Sequence, residues 1–198
     1  MPGSSTRRLL VSDIAATPWK NGGGVTREIA TGPAPSDGTD WRWRVSLAEV
    51  AQDGPFSLFP DTDRVIAVIG GAGMDLLRPD GSILPLDPLQ PVRFAGEEPL
   101  TGRLRQGPLR DLNAMVRRGQ FTAEMEILQG SSTVSWETAG GGDCLLVLIL
   151  AGSCAVRLDG GDTHDLAPAE ILIHEGRGHH DVRPAADGRA AVIRIRPA

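Results

Sequence analysis

The sequence predicts an all-β fold, organised as two stacked β-barrels or jelly rolls related by an internal repeat of about eighty residues. Three observations predict it. Sliding the chain by eighty places brings four separate segments into gapless register. The matched segments carry strand patterns, and Gly/Pro clusters such as Pro79-Asp80-Gly81 and Asp159-Gly160-Gly161 punctuate them. No amphipathic helical pattern longer than about ten residues runs anywhere in the chain.

The elements follow in order. Strands near residues 8–12 and 25–30 are expected to complete the first barrel. Residues 41–48 alternate apolar and polar, which marks one buried and one polar face. Trp41, Trp43, Val45 and Leu47 fall on Phe121, Ala123, Met125 and Ile127 of the similar run 121–128. Residues 65–69 and 145–150 are continuous apolar runs, suited to strands covered on both sides. Leu76 falls on Val156, Leu86 on Leu166 and Gly96 on Gly176. Residues 108–118 read as a short turn of helix or a connection between the halves, and 171–173 and 191–195 as further strands. The division expected is 1–110, carrying the ligand site, and 111–198.

Composition narrows the function classes. The 198 residues are 40% hydrophobic and 23% charged, an ordinary globular balance that rules out a disordered tail or a collagen. The net charge of -5 disfavours long-range attraction to nucleic acid or an anionic membrane. Residues 1–24 lack the pattern of a signal peptide, and no apolar run approaches a bilayer span. A cytoplasmic protein is expected. Cys144 and Cys154 flank a hairpin turn near Ala151-Gly152, with Ile149 facing Cys154; they read as unbridged, inert, half-buried thiols.

Scarcity directs attention to particular side chains. Lys20 is the single lysine among nineteen arginines, and Asn21 and Asn113 are the only asparagines. Lysine and arginine differ in shape and hydration, so a retained lysine points to a chemical requirement. Lys20 and Asn21 lie in Trp19-Lys20-Asn21-Gly22-Gly23-Gly24, where Asn-Gly suits a tight turn and the glycines admit a ligand close to the backbone. Arg44 and Ser46, with Arg42, make a donor-rich strand face, while its counterpart offers Thr122, Glu124 and Glu126. An anion thus belongs in the first half, if these faces are not simply solvated. Arg64 either reaches a barrel mouth or pairs with Asp61 or Asp63. Asp111 and Asn113 alternate and share a face if their segment is extended; otherwise they stabilise a turn.

A metal-binding β-barrel would show His-X-His with a downstream glutamate and a later histidine, and neither half has it. His164, His174, His179 and His180 are the only histidines, and Gly178-His179-His180-Asp181 reads as a loop tip. No metal and no other cofactor is expected.

At these residues the chain resembles the HutD/Ves family, a branch of the cupin superfamily. The resemblance rests on Pro18-Trp19-Lys20-Asn21-Gly22-Gly23-Gly24 with Thr26-Arg27-Glu28-Ile29, then Trp43-Arg44-Val45-Ser46-Leu47-Ala48 and Gly54-Pro55-Phe56-Ser57. It continues through Phe59-Pro60 with Asp63-Arg64, and Asp111-Leu112-Asn113-Ala114-Met115. One departure is Asp61, where the family pattern usually has glycine. The resemblance implies a bicupin without the usual metal ligands, and a role in restraining histidine utilisation by binding formyl- or formimino-glutamate-type acids. The ligand-binding set it suggests, alongside the residue reading, is Trp19, Lys20, Asn21, Arg44, Ser46, Phe56, Arg64, Asp111 and Asn113. A small-molecule carboxylate is the expected partner, in a protein that is not an enzyme; a homodimer stays open. The alternatives are a metal-free isomerase or hydrolase using Lys20 or Asp111 as acid or base, and a protein-interaction module.

Overall fold

The computed structural model describes residues 4–32, 41–131, 133–159 and 161–198. Gly160, in the second Gly-rich turn cluster, lies outside them. The described chain is almost wholly strand. The strands are β1 (Ser5–Leu10), β2 (Ala16–Pro18), β3 (Gly24–Thr31), β4 (Trp43–Val50), β5 (Gly54–Pro55), β6 (Thr62–Gly70), β7 (Met74–Leu77), β8 (Ile83–Leu86) and β9 (Val92–Ala95). They continue as β10 (Thr101–Leu104), β11 (Leu109–Arg117), β12 (Phe121–Gln129), β13 (Val134–Ala151), β14 (Cys154–Leu158), β15 (Thr163–Leu166), β16 (Glu170–Pro184) and β17 (Arg189–Pro197). A 3-10 turn at Val11–Asp13 is the only helical element among the described residues.

The chain divides into two compact units, Ala15–Ala123 and Met1–Ile14 with Glu124–Ala198. In the first, a six-stranded sheet runs β2-β3-β4-β11-β6-β9 and a four-stranded sheet runs β5-β10-β7-β8. In the second, the strand order is β12-β17-β13-β16-β14-β15, with β1 also paired to β16. These are open sheets: none closes into a hydrogen-bonded barrel among the described residues.

Sequence pattern explains the central strands. Along β4, Trp43, Val45 and Leu47 are buried on one face while Arg44, Ser46 and Ala48 point to the other. β6 is buried on both faces, with Val65, Ile66, Ala67 and Val68 each at most 2% exposed, as a continuous apolar run permits. The core of the Ala15–Ala123 unit joins Ile66, Val68, Met74, Leu76, Leu86, Phe94 and Leu100. That of the other unit joins Trp136, Leu145, Val147, Val156, Leu172 and Val192.

Six expectations need correction. Residues 108–118 are not a turn of helix: β11 pairs with β4 on one side and β6 on the other, so ladder bonds on both edges override the local pattern. For the same reason the chain does not divide at 110/111, which falls inside the central sheet of one unit. Residues 5–10 do not complete the first sheet; β1 pairs antiparallel with β16, Ser5 opposite Glu175 and Leu10 opposite Glu170. Ile149 does not face Cys154, because β16 lies between β13 and β14. The two thiols are free and fully buried rather than half-buried, and burial pushes them up to about 12 and about 11. Finally, His180 is not at a loop tip: it lies within β16 and is fully buried.

Asp61, the departure from the glycine pattern, has φ of 54°, in the left-handed region where glycine is favoured. Aspartate is among the side chains that tolerate it.

A candidate acid-binding cavity

One cavity of about 540 Å³ opens within the Ala15–Ala123 unit. Its floor is the inward face of β4, β11 and β6; β5, β7 and β10 supply the opposite wall, and the 18–24 hairpin borders it. The structure brings all nine sequence-predicted ligand residues to this one cavity.

The floor follows from register. On β11, Asp111, Asn113 and Met115 alternate onto one face, as expected for an extended segment. Asn113 stands opposite Ser46 on β4 and Ile66 on β6. Met115 stands between Arg44 and Arg64 in the same way. The floor therefore grades from two guanidinium-bearing positions, through a hydroxyl and an amide, to a carboxyl. Ser46, Arg64, Asp111 and Asn113 are all under 9% exposed.

Arg64 is the dominant feature. It pairs with neither Asp61 nor Asp63; Asp63 accepts instead from Arg118 Nε at 2.8 Å. Its guanidinium carbon lies 5.3 Å from the Phe56 ring centroid, 5.6 Å from Phe59 and 4.8 Å from Phe94. Three ring faces or edges thus hold one cation away from water. Its Nη1 donates a long bond of 3.5 Å to the Ser57 carbonyl, while Nε is buried without a partner. Burial pulls its pKa down to about 10, with Asp111 opposing and Arg44 adding to the shift. Burial likewise pushes the Asp111 carboxyl up to about 7, and Arg64 offsets only part of that. No ion pair within 4 Å joins the two. Arg44, in contrast, is steadied by its neighbour strand: Nε donates to Glu28 of β3 at 2.8 Å.

The hairpin is built by local chemistry. Gly22 N–H donates to the Trp19 carbonyl at 3.0 Å, and Gly22 takes φ of +71°, which an Asn-Gly pair accommodates. Asn21 Oδ1 accepts from Gly23 N–H at 3.0 Å, closing an Asx turn. Trp19 Nε1 donates to Thr26 Oγ1 at 2.7 Å, fixing the indole as a wall of the cavity. A Cβ on Gly24 would sit 2.4 Å from the Glu49 carbonyl oxygen and 3.1 Å from the Trp19 ring. Gly24→Ala is expected to destabilise the protein by about 1–3 kcal/mol, since a backbone oxygen in a paired strand cannot yield. Urea unfolding measures it, and an unchanged midpoint would contradict this packing.

Sequence reading missed Phe59 and Phe94 as partners of Arg64, Thr26 as the anchor of Trp19, and Glu28 as the anchor of Arg44. Phe94 was reachable only through pairing, since it lies opposite Arg64 in the β6–β9 register. On the counterpart strand β12, Thr122, Glu124 and Glu126 are exposed, and Glu124 is bonded by Arg194.

An all-β unit of two facing sheets with a side-chain-lined cavity between them defines a cupin-like protein. The fold agrees with a cupin 2 conserved barrel domain protein from Leptotrichia buccalis, at a TM-score of 0.60, 11% identity and coverage of 96% of each chain. Residues 11–193 match the HutD family model, and the chain belongs to the HutD family. It is 35% identical over 130 residues to an uncharacterized 21.2 kDa protein in the hutC 3′ region of Pseudomonas putida, covering 65% of this chain and 67% of that protein. It is 36% identical over 136 residues to Protein Ves of Cronobacter sakazakii, covering 68% and 71%. The structure of HutD from Pseudomonas fluorescens SBW25 superposes with a TM-score of 0.82 at 29% identity, over 98% of this chain and all of that one. Among the described residues no helix is long and apolar enough to cross a membrane.

Proposed function

We propose that this chain binds a small acidic metabolite of the formyl- or formimino-glutamate type, without metal or turnover, as a cytoplasmic regulator of histidine utilisation. The observation that carries the reading is Arg64: a cation 6% exposed, caged by phenylalanines, with an unpartnered Nε, on the lining of the cavity. A buried charge without a close counter-ion is costly, and a bound carboxylate is the group that compensates it. Arg44 and Lys20 add positive charge along the same cavity, and Ser46 and Asn113 supply orienting polar groups. Family membership, the hutC-adjacent relative and the Pseudomonas HutD support the pathway assignment.

The same reading takes the chain as a doubled cupin. β7, β8 and β11 begin at 74, 83 and 109; β14, β15 and β17 begin at 154, 163 and 189, each eighty places on. The pairing β4-β11-β6-β9 has its parallel in β12-β17-β13-β16. Arg44 and Ser46 have exposed Glu124 and Glu126 as counterparts, so a single acid site per chain is expected.

Thermal shift with N-formylglutamate tests the proposal. At a hundredfold excess over Kd the stabilisation is about 2.7 kcal/mol. Arg64→Gln and Arg44→Ala are expected to abolish it, and Lys20→Ala to weaken it. Variants that shift like wild type would place the ligand elsewhere. One observation favours a metal-free enzyme as a second reading: a buried carboxyl near 7 is suited to general acid–base work. Chemical change of the bound acid, followed by NMR, decides between the two.

A further inference from the structure

The polar groups left without partners inside the cavity have a direction. At the end bearing Arg64 and Arg44 they are donors: Arg64 Nε is buried and unpartnered. Further along β11 they are acceptors. Asn113 Oδ1 is buried and unpartnered, and the Asp111 carboxyl, 3% exposed, follows it on the same cavity-facing side of β11. Asn113 and Asp111 lie two and four residues beyond Met115, which marks the level of both arginines. Four strand residues are roughly 13 Å. The cavity therefore asks for acceptors at one end and donors at the other.

We propose that Asp111 is the specificity-determining residue of this site, selecting acids whose far end carries a cationic N–H donor such as an amidinium over those ending in a neutral formyl group. This deepens the acid-binding reading and rests on it. The ligand's carboxylate takes the Arg64 end. Its charged N–H groups then reach Asn113 Oδ1, to which the protein gives no donor, and the buried Asp111 carboxylate. A neutral carbonyl at that position offers an acceptor to acceptors, and leaves Asp111 buried and uncompensated. Formyl- and formimino-glutamate differ in just this group.

The other titratable groups lining the cavity are Lys20 on the hairpin, Arg44 on β4 and Arg64 on β6, with Glu28 reaching Arg44 from β3. Arg64, pulled down to about 10, keeps its charge between pH 6 and 8, whereas Asp111, pushed up to about 7, changes there. Ionised Asp111 holds the amidinium; its protonated form does not. Affinity for the amidinium acid therefore rises as pH rises through about 7, and binding at pH 7 releases part of a proton.

The test is calorimetric titration of N-formimino- and N-formylglutamate into the full chain at pH 6, 7 and 8, in two buffers of different ionisation enthalpy. The wild type is expected to prefer the amidinium acid by about tenfold or more at pH 8, and less at pH 6. Asp111→Asn, which keeps the side chain's shape, is expected to erase the preference and the proton release. Equal binding of both acids by the wild type at pH 8, or a preference that survives in Asp111→Asn, overturns the assignment while leaving the acid site standing. The wild-type pH series and proton count stand without the variant. Should neither acid bind the wild type, the acid-binding reading falls and this one with it.

Discussion

Replacing Asp111 by asparagine is expected to stabilise the ligand-free protein at pH 8 by up to about 4 kcal/mol, roughly 10 °C in Tm for a chain of this size. The carboxyl titrates near 7 in the fold against 3.8 as its unperturbed value, because burial penalises its charge. As pH rises above about 4, the unfolded chain gives up this proton first, so the folded state loses stability until pH passes about 7. Above that the full cost is present, and asparagine removes it. Well below pH 4 both states carry a neutral acid and the difference vanishes. Thermal melts at pH 4.5 and 8 check the sign. A variant that is no more stable at pH 8 would mean Asp111 is solvated or paired in solution. A residue that destabilises its own fold in this way is a common mark of a binding site.

Acid is expected to weaken the second unit through a different device. His174 and His180 lie with ring centroids 4.8 Å apart, both buried. Thr6 Oγ1 bonds His174 Nδ1 at 2.9 Å, and Thr138 Oγ1 bonds His180 Nε2 at 2.8 Å, leaving His174 Nε2 and His180 Nδ1 without partners. Burial, then the neighbouring His174, pull His180 down to about 4; Asp159 and Asp181 oppose this and His179 adds to it. His174 is lowered for the same leading reason. Between pH 6.5 and 4 the unfolded chain takes up protons that the folded one refuses, so stability falls as pH falls. His180 alone accounts for about 3 kcal/mol once pH is below 4. Urea unfolding of wild type and His180→Gln at pH 7.5 and 4.5 measures it. The glutamine can still meet Thr138, and its loss on acidification is expected to be the smaller. Equal losses would clear His180 of any part.

Much of this was readable from side-chain order, and the gaps have physical causes. Arg44 with Ser46, and Asp111 with Asn113, were visible as alternating pairs because a strand repeats every two residues. That the pairs meet depends on β4 and β11 being neighbours, a non-local fact that spacing does not carry. Arg64 stayed ambiguous because Asp61 and Asp63 are close in sequence, whereas Phe94, which comes to it through pairing, is thirty places away. The segment around Asp111 looked helical in isolation, and two flanking ladders decided otherwise. His180 looked exposed because Gly178 precedes it, yet β16 continues through both.

Because β1 pairs with β16, it waits during synthesis for a partner made much later. Some 160 residues separate the two, so at roughly 5–20 residues per second the nascent segment waits about 8–30 s. Removing residues 4–12 therefore strikes the unit that holds β16, and spares the one whose synthesis comes next.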